Sequence, residues 1–195
     1  MHKPLAGQQA GGFLMSEKIL MTSSDIKRTL LRIAHEVVEK NRGTENLVLI
    51  GIQTRGVPLA KRLAGMIREF EEIAVTVGTL DIGLYRDDVS TNNLRPIIHD
   101  SDIPIDITGK QIILVDDVLY TGRSIRAAMD ALMDTGRPKS IQLAVLIDRG
   151  HRELPIRADY TGKNIPTSQN EEIKIHFKET EGKDEVIITK RTQNP

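Results

Sequence analysis

The residues best suited to chemistry are two adjacent acids, Asp116 and Asp117, that follow a run of apolar residues. Residues 112–115 (IILV) are typical of a strand buried on both faces of a parallel sheet, and we expect this strand to end at the acids. Beyond them, apolar residues recur at helical spacing and predict an amphipathic helix that Gly136 ends; they are Ile125, Ala128, Met129 and Leu132. The acids therefore belong to a strand, loop, helix unit.

The loop between this strand and this helix has the composition of an anion site. Gly122 exposes backbone N–H groups at the start of a helix, where the dipole is positive, and Thr121 and Ser124 add hydroxyl donors. Because a phosphate alone would not favour two neighbouring carboxylates, the acids need hydroxyl groups, a cation, or both. A ribose 5-phosphate offers that combination. The chain contains neither the nucleoside triphosphate loop nor the dinucleotide fingerprint, and the alternative is an ordinary solvated turn.

A second unit of the same design precedes the first. Residues 47–52 form another apolar run, and Gln53-Thr54-Arg55-Gly56 leads into a helix with Pro58 near its first turn. In a parallel sheet both loops emerge at the carboxyl ends of their strands, where open α/β folds bind ligands. The guanidinium of Arg55 suits a second phosphate group, although Thr-Arg-Gly by itself is more often just a turn.

Residues 112–124 resemble the phosphoribosyl pyrophosphate motif of type I phosphoribosyltransferases, although Ser124 stands where threonine is usual. The resemblance implies an α/β fold with an open, mostly parallel twisted sheet flanked by helices, together with a small hood and a C-terminal hairpin. It also implies that the loop at Thr54 and Arg55 binds pyrophosphate, with an unusual peptide geometry. The implied substrate contacts are Thr54, Arg55, Asp116, Asp117, Val118, Leu119, Tyr120, Thr121, Gly122, Arg123 and Ser124.

Residues 75–84 are predicted to form a third strand. The resemblance assigns roles to two polar segments, one of which follows this strand. Residues 86–102 correspond to a flexible loop that closes over the sugar pyrophosphate, with Arg86 neutralising the departing group; the alternative for Arg86 is a surface salt bridge. Residues 148–170 correspond to the hood that binds the base, with Arg149 and Ile156 as base-binding residues.

The resemblance is most specific to the bifunctional pyrimidine operon attenuators and uracil phosphoribosyltransferases. The segments that carry it are residues 84–88, 116–123 and 148–168. This family implies conversion of uracil and phosphoribosyl pyrophosphate to UMP and pyrophosphate, with substrate-bound Mg²⁺ and with Arg86, Asp116 and Asp117 as catalytic residues. It also implies uridine-nucleotide-dependent binding of pyrimidine-operon leader mRNA by a homo-oligomer, a dimer or higher. Two alternatives stay open: a uracil salvage enzyme without an RNA role, and a nucleotide-sensing regulator that has lost catalysis.

The first predicted helix runs from about Thr22, whose three-residue spacing to Asp25 resembles a capping box, to about Lys40, and it carries a basic stripe opposite its apolar face. Arg28, Arg32 and His35 form this stripe and are the candidate RNA contacts; a solvated face is the alternative. The chain has 27 basic residues (lysine and arginine) and 27 acidic residues (aspartate and glutamate), so it has no overall positive charge. An RNA contact must therefore rest on such a local patch.

The composition sets the remaining expectations. Residues 1–16 are predicted to be a flexible tail and 17–195 a single domain. The absence of cysteine excludes disulfides and thiolate chemistry, and the histidines lack metal-ligand spacing, so no protein-held metal site is predicted. With no apolar run of membrane-spanning length and no signal peptide, we expect no membrane contact and a cytoplasmic protein.

Overall fold

The computed structural model describes residues 15–85, 101–168 and 170–191, which form two β-sheets and four helices. The larger sheet has five strands in the order β3-β2-β4-β5-β6, and every neighbouring pair is parallel. Its strands are β2 (Leu47–Ile52), β3 (Thr76–Leu80), β4 (Gln111–Leu119), β5 (Ser140–Asp148) and β6 (Tyr160–Asn164). The helices that flank it are α1 (Ser23–Asn41), α2 (Gly56–Glu71) and α3 (Arg123–Thr135).

The smaller sheet is antiparallel and has three strands in the order β1-β8-β7. These strands are β1 (Met15–Thr22), β7 (Glu171–His176) and β8 (Glu185–Arg191), and the short helix α4 (Lys178–Glu181) joins the last two. The predicted C-terminal hairpin is therefore present, but it is extended by a strand from the other end of the described chain.

The core lies on both faces of the central strand β4. Ile113 and Val115 pack in one buried cluster with α1 and α2, whereas Ile112 and Leu114 pack in a second cluster with α3. Successive side chains of a strand point to opposite faces, so a strand covered on both sides needs a continuous apolar run. The predicted α/β fold with a parallel sheet flanked by helices is confirmed.

The start of the first helix is confirmed in detail. Thr22 is the N-cap of α1, and its side chain and that of Asp25 form the predicted capping box with the backbone. Other predicted boundaries were wrong. β4 does not end at the acids, because its pairing with β5 continues from Asp116 to Leu119. The third strand, predicted over residues 75–84, ends at Leu80, before a turn in which Tyr85 N donates to Ile82 O.

Two strands were not predicted. β1 begins at Met15, so the last two residues of the predicted tail belong to a strand, while residues 1–14 lie outside the described part of the chain. β6 lies within the segment 148–170 that was predicted to be hood, so the irregular residues described in that segment are 149–159, 165–168 and 170. None of the helices in the described ranges is long and apolar enough to cross a membrane.

Candidate active site

A cavity of about 240 Å³ opens at the carboxyl end of β4. Its lining is Asp116 together with Val118, Leu119, Tyr120, Thr121, Gly122, Arg123, Ser124 and Ile125. Gly122 is the N-cap of α3 and has a φ of 93°, a left-handed conformation that glycine adopts without steric cost. The structure therefore places the predicted anion-binding loop at a helix N-terminus and beside one of the two acids.

The hood lies directly against this loop. The carbonyl of Thr121 accepts hydrogen bonds from the N–H groups of Glu153, at 3.0 Å, and Leu154, at 3.1 Å. A Cβ on Gly122 would lie 3.4 Å from Cβ and Cδ1 of Ile156. The predicted base-binding residue Ile156 therefore lies over the anion-binding loop at Gly122, which lines the cavity.

The two acids do not face the same way. Asp116 lines the cavity and Asp117 does not, as the alternation of side chains along a strand requires. The carboxylate of Asp116 accepts the N–H of Asp117 at 2.9 Å, and that of Asp117 accepts the N–H of Val118 at 2.7 Å. Burial raises the pKa of Asp117, against the hydrogen bond from Val118 and the positive charge of Arg55. The structure thus brings Asp116 to the cavity and Asp117 toward Arg55.

The loop after β2 packs against β4 at the acids. A Cβ on Gly56 would lie 2.2 Å from the carbonyl oxygen of Val115 and 3.3 Å from Cα of Asp116, so this approach requires a glycine. The peptide bond between Gln53 and Thr54 is cis, in agreement with the expected unusual geometry of this loop. The loop after β2 therefore meets β4 at its first acid, near the carboxyl end of the parallel sheet where ligands bind in open α/β folds.

Arg55 has a partner that sequence reasoning did not identify. Its Nη2 donates to Oε1 of Glu181 at 3.1 Å, while 46% of the Arg55 side chain remains exposed. Glu181 lies in α4, and no local sequence pattern connects it with the loop after β2. Only tertiary structure brings the two residues together.

Arg149 supports an aromatic ring of the cavity. Its guanidinium carbon lies 4.1 Å from the ring centroid of Tyr120, and its Nε and Nη2 donate to Thr167 Oγ1 at 3.1 Å and to Glu171 O at 2.9 Å. The ring of His151 meets the same tyrosine edge to face, with centroids 6.0 Å apart. The Tyr120 ring at this side of the cavity is therefore held in place by two neighbouring side chains. This contact was not predicted, although Tyr120 and Arg149 were both named as site residues.

The basic stripe of α1 is exposed but already engaged within the chain. Arg28 pairs with Asp25, and Arg32 pairs with Glu36, each at 2.6 Å. Nη2 of Arg32 also donates to the carbonyls of β6, at 3.0 Å to Thr161 and 2.8 Å to Gly162. The last stripe residue, His35, stacks on Phe70 with ring centroids 4.0 Å apart.

Two further predictions concern a metal and the catalytic loop. In the ranges described, no three histidine or acidic side chains are grouped to hold a metal ion. A Mg²⁺ that arrives with a phosphorylated substrate needs only one or two protein carboxylates, and Asp116 in the cavity fits that need. Arg86 and the loop residues 87–100 lie outside the described residues.

Comparison with known proteins places the chain in a family. Residues 20–180 match the phosphoribosyl transferase domain. The Bifunctional protein PyrR of Thermus aquaticus is 60% identical over 87% of this chain and 93% of its own length, and that of Pelotomaculum thermopropionicum is 58% identical over the same shares.

Among solved structures, the hypoxanthine phosphoribosyltransferase of Trypanosoma cruzi has a TM-score of 0.66 and 22% identity, covering 90% of this chain and 97% of its own. At that identity the likeness shows the fold alone. The family match and the identities of 58% and 60% go further, and by them the chain belongs to the phosphoribosyl transferase family, in the group of the bifunctional PyrR proteins.

Proposed function

We propose that this protein transfers the phosphoribosyl group of phosphoribosyl pyrophosphate to uracil, giving UMP and pyrophosphate, and that it also regulates pyrimidine biosynthesis by binding operon leader mRNA. The observation that carries the enzymatic part is the cavity at the carboxyl end of β4, where a helix N-terminus, hydroxyl groups and the carboxylate of Asp116 meet. The similarity to bifunctional relatives supports the second role.

The 5-phosphate binds in the loop of residues 121–124. Backbone N–H groups at the start of α3 and the hydroxyls of Thr121 and Ser124 donate to its oxygens, and the helix dipole favours its charge. The sugar then extends along the cavity toward Asp116, whose carboxylate accepts hydrogen bonds from the ribose diol. Asp117, on the opposite side of the strand, completes the acid pair and keeps Arg55 close to it.

Charge builds in two places as the bond to pyrophosphate breaks: positive on the ribose ring and negative on the departing group. Arg55 neutralises the pyrophosphate side, and Arg86 is proposed to join it from the loop that closes over the site. Mg²⁺ bound with the substrate would supply further positive charge to the leaving group, and Asp116 is the cavity carboxylate that would help to hold it. The chain's own contribution is therefore position and charge rather than a covalent intermediate.

The base enters between the hood and the phosphate loop. Ile156 gives an apolar contact over Gly122, and Arg149 holds the ring of Tyr120 against the cavity. We assign base specificity to this region. An exposed Tyr120 ring fixed by a guanidinium is a stacking surface suited to a flat pyrimidine.

A transferase assay tests the enzymatic part. Purified protein with phosphoribosyl pyrophosphate and Mg²⁺ is expected to convert uracil to UMP and to use hypoxanthine or orotate far less. Activity with a purine base alone would overturn the assignment. Replacing Arg86 by alanine is expected to lower kcat by about 10² to 10³, the usual loss for one charge-stabilising donor, while UMP binding is retained because UMP has no pyrophosphate.

The regulatory part has a competing reading. The alternative is a salvage enzyme without an RNA role, and the similarity to bifunctional relatives favours the RNA role over it, although Arg28 and Arg32 are already paired with acids of the same helix. Filter binding to a pyrimidine-operon leader RNA, with and without UMP, decides between the two. We expect UMP-dependent binding by a homo-oligomer in the cytoplasm; absence of leader binding at low salt would leave the salvage enzyme.

A further inference from the structure

The carboxylate of Glu181 contacts the arginine of the pyrophosphate loop from outside the cavity. Its Oε1 accepts from Arg55 Nη2 at 3.1 Å, and only 27% of the Glu181 side chain is exposed. Its Oε2 accepts the N–H of Phe177 at 2.9 Å and the hydroxyl of Thr180. Glu181 is therefore held by its own turn before it meets Arg55.

That turn is itself bound to α2, the helix that begins at Gly56, directly after Arg55. Arg62 donates through Nε to Glu179 at 2.8 Å and through Nη2 to Asp184 at 2.6 Å, and its guanidinium lies 5.1 Å from the ring of Phe177, which is fully buried. The segment that carries Glu181 and the helix that follows Arg55 thus form one connected unit. A guanidinium with two carboxylate partners is a geometrically specific anchor.

Arg55 lies between two acids. Its positive charge acts to lower the pKa of Asp117 in β4 and that of Glu181 in α4. For Glu181, partial burial acts to raise the pKa, but the hydrogen bonds from Thr180, Phe177 and Arg55 outweigh it. Glu181 is therefore an ionised partner for Arg55 at neutral pH.

We propose that Glu181 is a positioning residue that holds the Arg55 guanidinium ready for the pyrophosphate group of the substrate. The inference rests on the proposed function, because it assigns Arg55 to pyrophosphate. By this proposal, the connection between β7 and β8 takes part in substrate binding, because it carries Glu181. Neither the motifs of the sequence nor the cavity itself includes this segment.

The geometry favours positioning over competition. The hydrogen bond to Glu181 uses one N–H of Nη2, which leaves four of the five guanidinium donors for a phosphate. An arginine side chain that is 46% exposed would otherwise sample many rotamers, and ordering it would then oppose substrate binding. Holding it beforehand removes that cost.

The test uses Glu181→Ala and Glu181→Gln in the full chain. We expect Glu181→Ala to raise the KM for phosphoribosyl pyrophosphate and the Kd of Mg²⁺-pyrophosphate, measured by calorimetry, about 5- to 10-fold. Glu181→Gln retains an acceptor oxygen without the charge and is expected to fall between wild type and alanine. The Kd of UMP should stay unchanged, because UMP has no group to meet Arg55, and kcat should change less than twofold.

Glu172→Ala is the matched control, since it removes an exposed carboxylate from the same pair of strands without touching Arg55. A double-mutant cycle adds specificity: in an Arg55→Ala background, Glu181→Ala should have no further effect on pyrophosphate binding.

Unchanged or tighter pyrophosphate binding by Glu181→Ala would overturn the inference. A parallel loss of UMP and pyrophosphate affinity would also overturn it, since that pattern signals general disorder of the site. Failure of the proposed function has a different signature, an inactive wild-type protein in the uracil assay, and calorimetry with pyrophosphate still tests Glu181 in that case.

Discussion

Asp117 shows how one buried carboxyl group can oppose stability while serving a site. Burial raises its pKa, and the N–H of Val118 and the charge of Arg55 only partly offset this. A carboxyl whose pKa is higher in the folded than in the unfolded chain destabilises the fold when it is ionised. This destabilisation is present above the folded pKa and disappears as pH falls below about 4, the ordinary aspartate value.

Asp117→Asn is therefore expected to make the protein more stable and less active. The amide oxygen can still accept from Val118, and the buried charge is gone, so Tm at pH 7.5 should rise by about 2–4 °C for each kcal/mol gained. The gain should shrink toward pH 4, where wild-type Asp117 is protonated too. Uracil transfer should fall by about 10²-fold. A lower Tm at pH 7.5 would mean that Arg55 more than offsets the burial of this charge.

At the scale of elements, α2 offers two glycines in opposite surroundings. Gly56, its first residue, faces the backbone of β4, where a Cβ would lie 2.2 Å from the Val115 carbonyl. Gly65, in its interior, has no atom within 4 Å of an added Cβ. The same substitution should therefore have opposite effects at the two positions.

We expect Gly56→Ala to destabilise the protein by about 1–3 kcal/mol and to weaken pyrophosphate binding, because the loop must move away from the acids. Gly65→Ala should stabilise it by about 0.5–1 kcal/mol, since alanine favours the helix and no neighbour is displaced. Urea titrations of both variants beside wild type give the two signs. A stable Gly56→Ala variant with normal activity would show that the loop has room that the structure does not indicate.

The elements that sequence predicted well are those with dense local signals. β2 has the predicted bounds, residues 47–52, because all six of its residues are buried and apolar. The N-terminus of α1 was predicted from the capping box at Thr22 and Asp25. In both cases the physical cause lies within a few residues of the element.

The elements that were missed depend on distant partners. β1 pairs with β8 at the other end of the described chain, with a shift in register between Ile19 and Met21, and it has no clean alternation of its own. β6 contains Gly162, which approaches the backbone of Leu146 so closely that a Cβ would lie 2.3 Å from its carbonyl oxygen. The contact of Arg55 with Glu181 spans 126 positions and has the same character. Local pattern cannot reveal such pairings.

At the scale of the whole molecule, charge is balanced and distributed. With 27 basic and 27 acidic residues, the chain has no broad positive field to attract a polyanion. The stripe of Arg28, Arg32 and His35 is exposed as predicted, but each member has an intramolecular partner. An RNA phosphate at this surface would therefore meet side chains that already have partners within the chain.

The two arginines of the stripe should respond differently to replacement. Arg32 joins α1 to two carbonyls of β6, so Arg32→Ala is expected to lower Tm as well as RNA affinity. Arg28 is 76% exposed and pairs with Asp25 of its own helix, so Arg28→Ala should leave Tm and uracil transfer nearly unchanged. Arg28 is therefore the cleaner test of a phosphate contact.

A salt titration of leader RNA binding measures that contact. If Arg28 neutralises one phosphate of single-stranded RNA, its replacement by alanine should flatten the slope of log K against log salt by about 0.7. Lys139→Ala is the control, because it removes the same charge from an exposed position. Lys139 precedes the start of β5 and so lies at the amino ends of the strands, whereas the cavity lies at their carboxyl ends. Its slope should equal that of wild type. Equal slopes for Arg28→Ala and wild type would mean that Arg28 makes no phosphate contact. If the slope of Arg32→Ala were unchanged as well, the stripe would be a solvated helix face whose arginines contact only α1 and β6.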